Sequence, residues 1–496
     1  MRTDGVLNIL GKLLVLVALC LLTPIPFSVY YHDGMVGSFI QSSIISAIIG
    51  GILTAVFMPN NDLGYRDGFA VVVLSWLGLS LLGSLPFYFS GVMPSFIDCF
   101  FESMSGFTTT GSTVLSRVEV LPESVLFWRA LTHWIGGMGI IVLSLAILPL
   151  LGVGGMQLFQ AEMPGPTKDR LTPKIQDTAR ILWGVYFFFT FTEMVLLMLG
   201  GLSFFDAICH AFATLATGGF STHTASAGYF RSAYVETVII IFMFLAGMNF
   251  SLHHQGVQRR FSAYWQSEEF RFYAAITFFA IVFVCAANMY HHIYGSIGET
   301  IRAAAFQVVS ILTTTGFGTE DFDQWPSICK VILVTLMFVG GCAGSTGGGI
   351  KVVRLLLFFK YARLQLRNLV HPNAVGTIKM GKVKVPQEIM VAILGFFALY
   401  VAVFLGASLL VTALGVELVT GMTAVIATLN NIGPGLANVG PAQNFGELPA
   451  MAKLVLAFCM LAGRLELYTV AVLLTPDFWR MARKPKFRWH IYLQGQ

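Results

Sequence analysis

The chain has 496 residues, of which 56% are hydrophobic and only 11% are charged, and its formal net charge at pH 7 is +5. Its mean hydropathy is +0.76. Because a soluble domain carries about 25% charged residues, this composition excludes a soluble globular protein and indicates an integral membrane protein. The positive charge lies mainly in short loops, so it does not call for a nucleic-acid partner.

Apolar stretches long enough to cross a bilayer predict ten spanning helices. In chain order they cover about 6–30, 36–58, 68–91, 122–152, 178–200, 233–254, 272–294, 326–358, 388–414 and 450–475. Four further apolar stretches, near 95–109, 203–217, 300–314 and 418–431, are too short to cross and are typical of re-entrant pore helices. The predicted fold is an all-α polytopic membrane protein.

Each short stretch ends in a turn that contains a glycine. The turns are Thr109-Thr110-Gly111, Thr217-Gly218-Gly219, Thr314-Thr315-Gly316 and Asn431-Ile432-Gly433. Ser95-Phe96-Ile97-Asp98 precedes Gly111 at the same distance at which Ser203-Phe204-Phe205-Asp206 precedes Gly219, which indicates an internal repeat. We therefore predict four pseudo-repeated units of span, pore helix, filter turn and span around one pore, plus two extra N-terminal spans.

The predicted boundaries follow from these turns. Residues 1–62 hold the two extra N-terminal transmembrane helices, and 63–165 and 166–262 are the first and second repeats. The third repeat, 263–370, contains a glycine-rich segment, and the fourth, 371–496, includes a cytoplasmic tail.

Four such turns around one axis would present a ring of backbone carbonyl oxygens, which can replace the water shell of a monovalent cation. Glycine permits the backbone angles that this requires, and each short helix would aim the negative end of its dipole at the ion. The competing interpretation is that each turn is only a helix C-terminus with a glycine cap. Glu320, Asp321 and Asp323 after the third turn fit either a cation-attracting outer mouth or a solvated acidic loop.

Residues 340–349 hold six glycines in the middle of the eighth predicted span. Each glycine costs a helix about 1 kcal/mol relative to alanine, and unwound backbone at membrane depth is tolerated only where it lines a cavity or is buried in protein. We interpret this segment as a mobile plug below the third turn. Its central residues are Gly344, Ser345, Thr346, Gly347, Gly348 and Gly349. The alternatives are close helix packing and a phosphate-cradling loop, but no Walker pattern fits.

Arg464 lies near the middle of the last predicted span, where a charge costs at least ~2.5–3.5 kcal/mol unless it faces a cavity or a partner. We predict that it lines the pore below the turns and raises a barrier to cations together with the glycine segment. The alternative is an ion pair with another span, for which Glu193 is a candidate and the neighbouring Glu466 a poor one. Asp98 and Asp206, at the start of short helices, are interpreted as N-terminal caps.

Most of the 30 lysines and arginines fall on one side of the predicted membrane, especially in 351–384 and 480–488. The positive-inside rule then places both termini in the cytoplasm and the four turns toward the outside. The seven cysteines show no spacing typical of a metal site or a disulfide framework. The inner loops are too short for a nucleotide-binding domain, so any nucleotide control requires a separate chain.

The four turns, the sequence AEMPGP at 161–166 and the sequence GGCAGSTGGGIK at 340–351 resemble the potassium-translocating membrane subunits of bacterial Trk systems. This TrkH/TrkG type belongs to a superfamily with the bacterial KtrB subunits and the plant and fungal HKT/Trk transporters. The resemblance covers essentially the whole chain, and the two extra N-terminal spans favour the TrkH/TrkG type over KtrB.

The resemblance implies potassium uptake across the bacterial cytoplasmic (inner) membrane, with K⁺ as the transported ion and no organic cofactor in this chain. It also implies a carbonyl filter at the four turns, an intramembrane loop as gate and an arginine at the position of Arg464. As partners it implies the lipid bilayer, a second copy in a homodimer and a cytosolic TrkA-type nucleotide-binding regulatory subunit. Residues 351–384 and 480–488 are the predicted docking site for that subunit, or contacts for anionic lipid.

The turns also bear on ion selectivity. In the superfamily a serine at the first filter glycine accompanies sodium permeation, so Gly111 and the other three glycines imply potassium. Gly218 in the second turn and the pair Asn431-Ile432 in the fourth depart from the threonine pairs of the other two turns. These departures predict a less symmetric filter with fewer binding sites and weaker selectivity than a fourfold channel.

Other functions remain as alternatives. Proton- or sodium-coupled symport stays open beside channel-like flux, with Arg464 and Glu193 as the ionisable groups available to it. A non-conducting scaffold would leave four intact turns unexplained. An intramembrane enzyme would need a Ser/His, paired Asp or HExxH arrangement, so no enzymatic activity is predicted. The histidines that lack such spacing are His133, His210, His253 and His254.

Overall fold

The computed structural model describes residues 3–58, 64–147, 175–373, 376–381 and 383–479. The AEMPGP sequence at 161–166, the predicted boundaries at 62/63 and 165/166 and the basic tail 480–488 lie outside the described residues. The described part is almost entirely helical, which confirms the predicted fold class. Its strands form one small antiparallel hairpin, β1 (Lys379–Met380) with β2 (Val383–Lys384).

The first half of the chain contains ten described helices. They are α1 Thr3–Cys20, α2 Ile25–Tyr31, α3 Val36–Val56, α4 Tyr65–Gly83, α5 Leu85–Phe89, α6 Phe96–Phe107, α7 Glu123–Ile147, α8 Ile175–Leu199, α9 Phe204–Leu215 and α10 Ala233–Ala246.

The second half contains eleven more. They are α11 Phe250–Val257, α12 Ser262–Gln266, α13 Glu268–Tyr290, α14 Ile297–Leu312, α15 Ser327–Val339, α16 Val352–Val370, α17 Gln387–Ala413, α18 Leu418–Leu429, α19 Ala450–Arg464, α20 Leu467–Leu474 and α21 Pro476–Trp479.

Within the described residues, six helices or helix pairs are long and apolar enough to span a bilayer, or eight when each of two sharply bent pairs counts as one span. Three of the ten predicted spans are interrupted by a sharp bend or by a loop. The span predicted at 233–254 bends by 105° between α10 and α11, and the one at 450–475 bends by 118° between α19 and α20. The span predicted at 326–358 is split into α15 and α16 by residues 340–351, which we call the glycine loop.

The breaks have local causes. Asn249 accepts a hydrogen bond from the amide of Ser251 at 2.8 Å and so starts a new helix after Gly247. Glu466 has a positive φ of 65°, which ends α19, and Lys351 has a φ of 75° at the start of α16. The glycine loop itself begins at Gly340, whose φ is 78°.

The four short helices α6, α9, α14 and α18 lie close to their predicted ranges and share one packing pattern. Each packs against a long helix before it, the helix after it and the helix that follows another of the short helices. For α6 these are α4, α7 and α19; for α9, α8, α10 and α7; for α14, α13, α15 and α10; for α18, α17, α19 and α15. Because α6 packs on α19, the pattern closes into a ring.

The starts of the first two short helices correct the predicted caps. Ser203 accepts a hydrogen bond from the amide of Asp206 at 3.0 Å, so Ser203 and not Asp206 caps α9. Asp206 lies in the first turn and accepts from Thr222 at 2.7 Å. Asp98 likewise lies in the first turn of α6, where it pairs with Lys453 at 2.6 Å. Both carboxylates thus tie a helix start to a distant segment.

Candidate functional site

Each of the four short helices ends in the same backbone turn. The amide just before the turn glycine bonds back to a carbonyl of the last helical turn, as in a Schellman motif. The bonds run from Thr110 to Ser105 (2.8 Å), Gly218 to Ala213 (2.8 Å), Thr315 to Ser310 (2.9 Å) and Ile432 to Ala427 (2.8 Å). The left-handed residues are Thr109 (φ 50°), Thr217 (53°), Thr314 (61°) and Asn431 (55°). The helix cap is therefore a threonine or an asparagine, and the glycine has another role.

That role follows from what faces each glycine. All four have a positive φ, of 81° at Gly111, 79° at Gly219, 82° at Gly316 and 108° at Gly433. On the first three, an added Cβ would collide with the carbonyl oxygen of the residue before the next glycine. The colliding pairs are Gly111 with Gly218, Gly219 with Thr315 and Gly316 with Ile432.

Gly433 completes the sequence of contacts. A Cβ built there would lie 2.9 Å from the carbonyl oxygen of Thr110, in the first turn. Four glycines and four carbonyl oxygens thus form a closed ring, which we call the carbonyl ring (Thr110, Gly218, Thr315 and Ile432). The contact at Gly433 is looser than the other three, so the ring is not fully symmetric.

A cavity of about 110 Å³ is lined by all four turn glycines and by the segments that follow them. Arg129 and His223 are the only ionisable residues among the described residues that line it. Glu320, Asp321 and Asp323 are not part of its wall. Asp323 instead pairs with Lys330 at 3.5 Å and accepts from the amide of Ala437 at 3.0 Å. Burial, and then the charge of Glu236, raise the pKa of Glu320.

The departures at the second and fourth turns have structural reasons. A Cβ at Gly218 would overlap the ring of His133, which also bonds to the carbonyl of Gly106 at 3.0 Å. The imidazole therefore occupies the space behind the second turn. At the first turn, the hydroxyls of Thr108 and Thr110 form a hydrogen bond of 2.8 Å with each other.

The third turn repeats this hydroxyl pair between Thr313 and Thr315, also at 2.8 Å. In the fourth, Asn431 donates to the hydroxyl of Thr110 at 2.9 Å and to the carbonyl of Met460 at 2.9 Å. The side chain of Ile432 is fully buried. Each turn thus has its own support behind a common backbone shape.

The glycine loop passes directly against the residues that lead into the third and fourth turns. The amide of Gly348 donates to the hydroxyl of Thr314 at 2.7 Å. A Cβ at Gly348 would collide with the carbonyl of Asn430, and one at Gly347 would lie 2.9 Å from the carbonyl of Thr313. Only glycine leaves room for this approach.

Other parts of the loop are fastened to the ends of α9 and α10 and to the start of α13. Thr346 donates through its hydroxyl to the carbonyls of Leu215 at 3.0 Å and Ala246 at 3.3 Å. The amide of Cys342 donates to the carbonyl of Gly247 at 2.8 Å. The amide of Ala343 donates to the carboxylate of Glu269 at 2.7 Å, and Lys351 folds back onto the carbonyl of Gly347.

Arg464 is the last residue of α19, at the 118° bend, rather than the middle of a continuous span. It is 3% exposed and donates to the carbonyls of Thr346 at 2.6 Å and Gly136 at 2.9 Å. In the described part of the chain it forms no ion pair, so the alternative that it pairs with Glu193 is wrong. Glu466 pairs instead with Arg354 at 2.5 Å. Arg464 therefore contacts the glycine loop directly.

The predicted site residues thus come together in two adjoining layers, the four turns and the glycine loop with Arg464. The ion pair between Glu102 and Arg129 and the position of His133 behind the second turn were not predicted from the sequence. A charge inside the fourth predicted span was a signal for Arg129 of the same kind that drew attention to Arg464. Within the described residues no cluster of three or more metal-ligating side chains occurs.

Comparisons with known proteins agree with this architecture. A family model described as TrkH, cation transport protein, matches residues 37–480. The Trk system potassium uptake protein TrkH of Escherichia coli K12 is 45% identical over 97% of this chain and 100% of its own length. TrkH of Halomonas elongata is 44% identical over 96% of this chain and 99% of its own, whereas TrkG of E. coli K12 is 36% identical over 96% and 98%.

The crystal structure of the potassium transporter TrkH from Vibrio parahaemolyticus superimposes with a TM-score of 0.90. It is 41% identical and covers 97% of this chain and 100% of that one. These relatives are named as transport proteins, which confirms the prediction that the chain is not an enzyme. The chain belongs to the TrkH family of cation transport proteins.

Proposed function

We propose that this chain conducts potassium into the bacterial cell across the inner membrane, through one pore built by four pseudo-repeated units. The observation that carries the proposal is the closed carbonyl ring, in which four buried backbone oxygens alternate with four glycines. Carbonyl dipoles can replace the water shell of a monovalent cation without trapping it. The full-length relatives that are named potassium uptake proteins support the choice of ion.

In this proposal the ion ligands are mainly backbone carbonyls of the four turns. The first two turns contribute Thr109, Thr110, Gly111, Thr217, Gly218 and Gly219, and the other two Thr314, Thr315, Gly316, Asn431, Ile432 and Gly433. The different supports behind the second and fourth turns favour fewer equivalent sites than a symmetric channel has. The pore needs no organic cofactor.

The glycine loop acts as the gate. Its contacts with Thr313, Thr314 and Asn430 put backbone against the inner side of the turns, where it would obstruct an ion. Arg464 holds the loop through Thr346 and places a positive charge on the path. The residues that would have to move are Gly344, Ser345, Thr346, Gly347, Gly348 and Gly349. A gated channel of this kind needs no coupling ion; proton- or sodium-coupled uptake is the alternative.

A cytosolic TrkA-type nucleotide-binding subunit would regulate the gate, and two copies of the chain would form a homodimer, with all termini in the cytoplasm. The distal half of α16 supports docking there, because Arg363 and Arg367 are exposed beside Leu366, Leu369 and Val370, which are 66%, 80% and 72% exposed. Since α16 follows the glycine loop directly, a partner that pulls on it would move the loop.

The test is ⁸⁶Rb⁺ uptake into liposomes that contain the purified chain, with K⁺, Na⁺ and Li⁺ as competitors. Gly316→Ser is compared with Gly318→Ser, a matched control, because a Cβ at Gly318 meets no atom within 4 Å. The wild type and both serine variants are also measured in combination with Arg464→Gln, so that a closed gate does not mask the effect of a filter substitution on uptake. Potassium should compete far better than sodium, and only Gly316→Ser should relax or abolish uptake. No uptake in any form, or equal effects of both serines, would refute the proposal.

A further inference from the structure

The segments that leave the four turns are each held by a polar side chain of the preceding short helix. Counted back from the turn glycine, the same helix position holds Glu102, His210, Gln307 and Ala424. His210 bonds to the hydroxyl of Ser221 at 2.9 Å, and Gln307 donates to the carbonyl of Glu320 at 3.3 Å.

In the fourth unit alanine cannot act in this way. The neighbouring Thr423 accepts from the amide of Leu436 at 3.1 Å instead. The segment after each turn is therefore held by a different kind of side chain, and only the first of these, Glu102, is part of an ion pair.

The first unit has the strongest of these contacts. Glu102 is fully buried and accepts from the hydroxyl of Thr113 at 2.9 Å and from the amide of Val114 at 3.0 Å. Arg129 is 2% exposed, and its Nε and Nη2 lie 2.9 Å and 2.8 Å from the same carboxylate oxygen. Charge-assisted bonds of this kind are roughly twice as strong as neutral ones.

Arg129 also reaches the second unit. Its Nη1 donates to the carbonyl of Ser221 at 3.2 Å, and its guanidinium lies 4.0 Å from the centre of the Phe220 ring. One guanidinium therefore joins the segments that leave the first and second turns. Among the described residues, no ion pair joins the corresponding segments of the third and fourth turns.

We propose that Glu102 and Arg129 form a specificity-determining positioning pair, which fixes the first two turns and thereby the width of the carbonyl ring. The pair is net neutral, and its carboxylate holds the hydroxyl of Thr113 and the amide of Val114, so it acts on the geometry of the segment that leaves the first turn. In one account of carbonyl filters, the size of the cage decides which ion it accepts. Without the pair the ring relaxes and accepts sodium. This inference rests on the proposed function.

The test measures the competition of K⁺ against Na⁺ for ⁸⁶Rb⁺ uptake in liposomes for Glu102→Gln, which keeps the size of the side chain and removes its charge. The K⁺/Na⁺ preference should fall about tenfold, as expected when one charge-assisted contact that shapes the ring is lost. Asp98→Asn is the matched control. Asp98 lies on the same short helix as Glu102, but it pairs with Lys453 of α19 and bonds to none of the four turns. It should keep the wild-type preference.

A second variant keeps the inference testable if Glu102→Gln fails to fold. Thr113→Val leaves the ion pair intact and removes its contacts with the half-buried Thr113, whose hydroxyl also accepts from Arg129 at 3.3 Å. It should also lower the preference. An unchanged K⁺/Na⁺ preference in folded Glu102→Gln overturns the inference. If Glu102→Gln does not fold, an unchanged preference in Thr113→Val overturns it. A loss of preference in Asp98→Asn as large as that in Glu102→Gln also overturns it. Absent uptake in both the wild type and Arg464→Gln refutes the proposed function instead.

Discussion

Arg464 offers a direct test of the gate. Arg464→Gln removes the bond to the carbonyl of Thr346, which is the contact of this side chain with the glycine loop. A hydrogen bond from a charged group contributes about 1.5–3 kcal/mol. If the loop loses that much stability in its blocking position, the ratio of closed to open pores falls by about 10- to 150-fold. The proposed gate holds the resting pore mostly closed, and on that premise the flux should rise by a similar factor.

Two further variants separate a mechanical latch from an electrostatic barrier. Arg464→Lys keeps the positive charge but cannot reproduce the forked donation to Thr346 and Gly136. Thr346→Val changes no charge and removes the hydroxyl bonds to Leu215 and Ala246. Since neutral bonds contribute about 0.5–1.5 kcal/mol, Thr346→Val should raise flux by about 2- to 10-fold.

The assay is the initial rate of ⁸⁶Rb⁺ uptake per reconstituted protein, without any regulatory subunit. A latch predicts a higher rate in all three variants. A pure charge barrier predicts a rise only in Arg464→Gln, with wild-type rates for Arg464→Lys and Thr346→Val. Unchanged or lower flux in folded Arg464→Gln would refute both the latch and the charge-barrier hypothesis.

Three other outcomes follow from the same contacts. Gly218→Ala should abolish ⁸⁶Rb⁺ uptake because its Cβ overlaps the His133 ring, and His133→Ala in the same chain should restore part of it; failure of this rescue would contradict the steric explanation. Gly348→Ala should raise basal flux because its Cβ collides with the carbonyl of Asn430, and wild-type flux would argue against the loop position. Backbone amides of Thr420 and Val419 hold the pKa of Glu417 below its usual 4.5, so its stabilising contribution is present above that value and is lost as the pH falls through the lowered pKa. Thermal unfolding scans across pH 6 to 3 should thus show a steeper loss in wild type than in Glu417→Gln, and parallel curves would contradict it.

The sequence predicted the short helices within a few residues, because each is an apolar stretch bounded by a serine or glutamate at its start and a glycine turn at its end. It also located the interrupted eighth span, since six glycines cannot sustain a helix. The family, the all-α membrane fold and the lack of enzymatic activity were likewise correct. The division into repeats and the roles of individual turn residues remain predictions.

Other features depend on contacts between distant residues. The 105° bend after α10 lies in an apolar sequence with one glycine and one asparagine, which does not by itself require a break. Gly218 looked like a departure from the repeat, and only the ring of His133 explains it. Arg464 was expected to face a cavity or a carboxylate, yet its two Nη groups donate to backbone carbonyls far away in the chain. Hydrogen-bonding capacity is readable from a sequence, but the identity of the partner is not.

The central claim is that the carbonyl ring binds the transported ion, and an anomalous-scattering map from crystals grown with Rb⁺ or Tl⁺ tests it most directly. We expect a peak enclosed by the carbonyl oxygens of Thr110, Gly218, Thr315 and Ile432, which weakens when K⁺ is added and persists when Na⁺ is added. A ring without a peak in crystals that hold the ion elsewhere, or a peak that Na⁺ displaces as well as K⁺ does, would contradict a potassium-selective carbonyl filter.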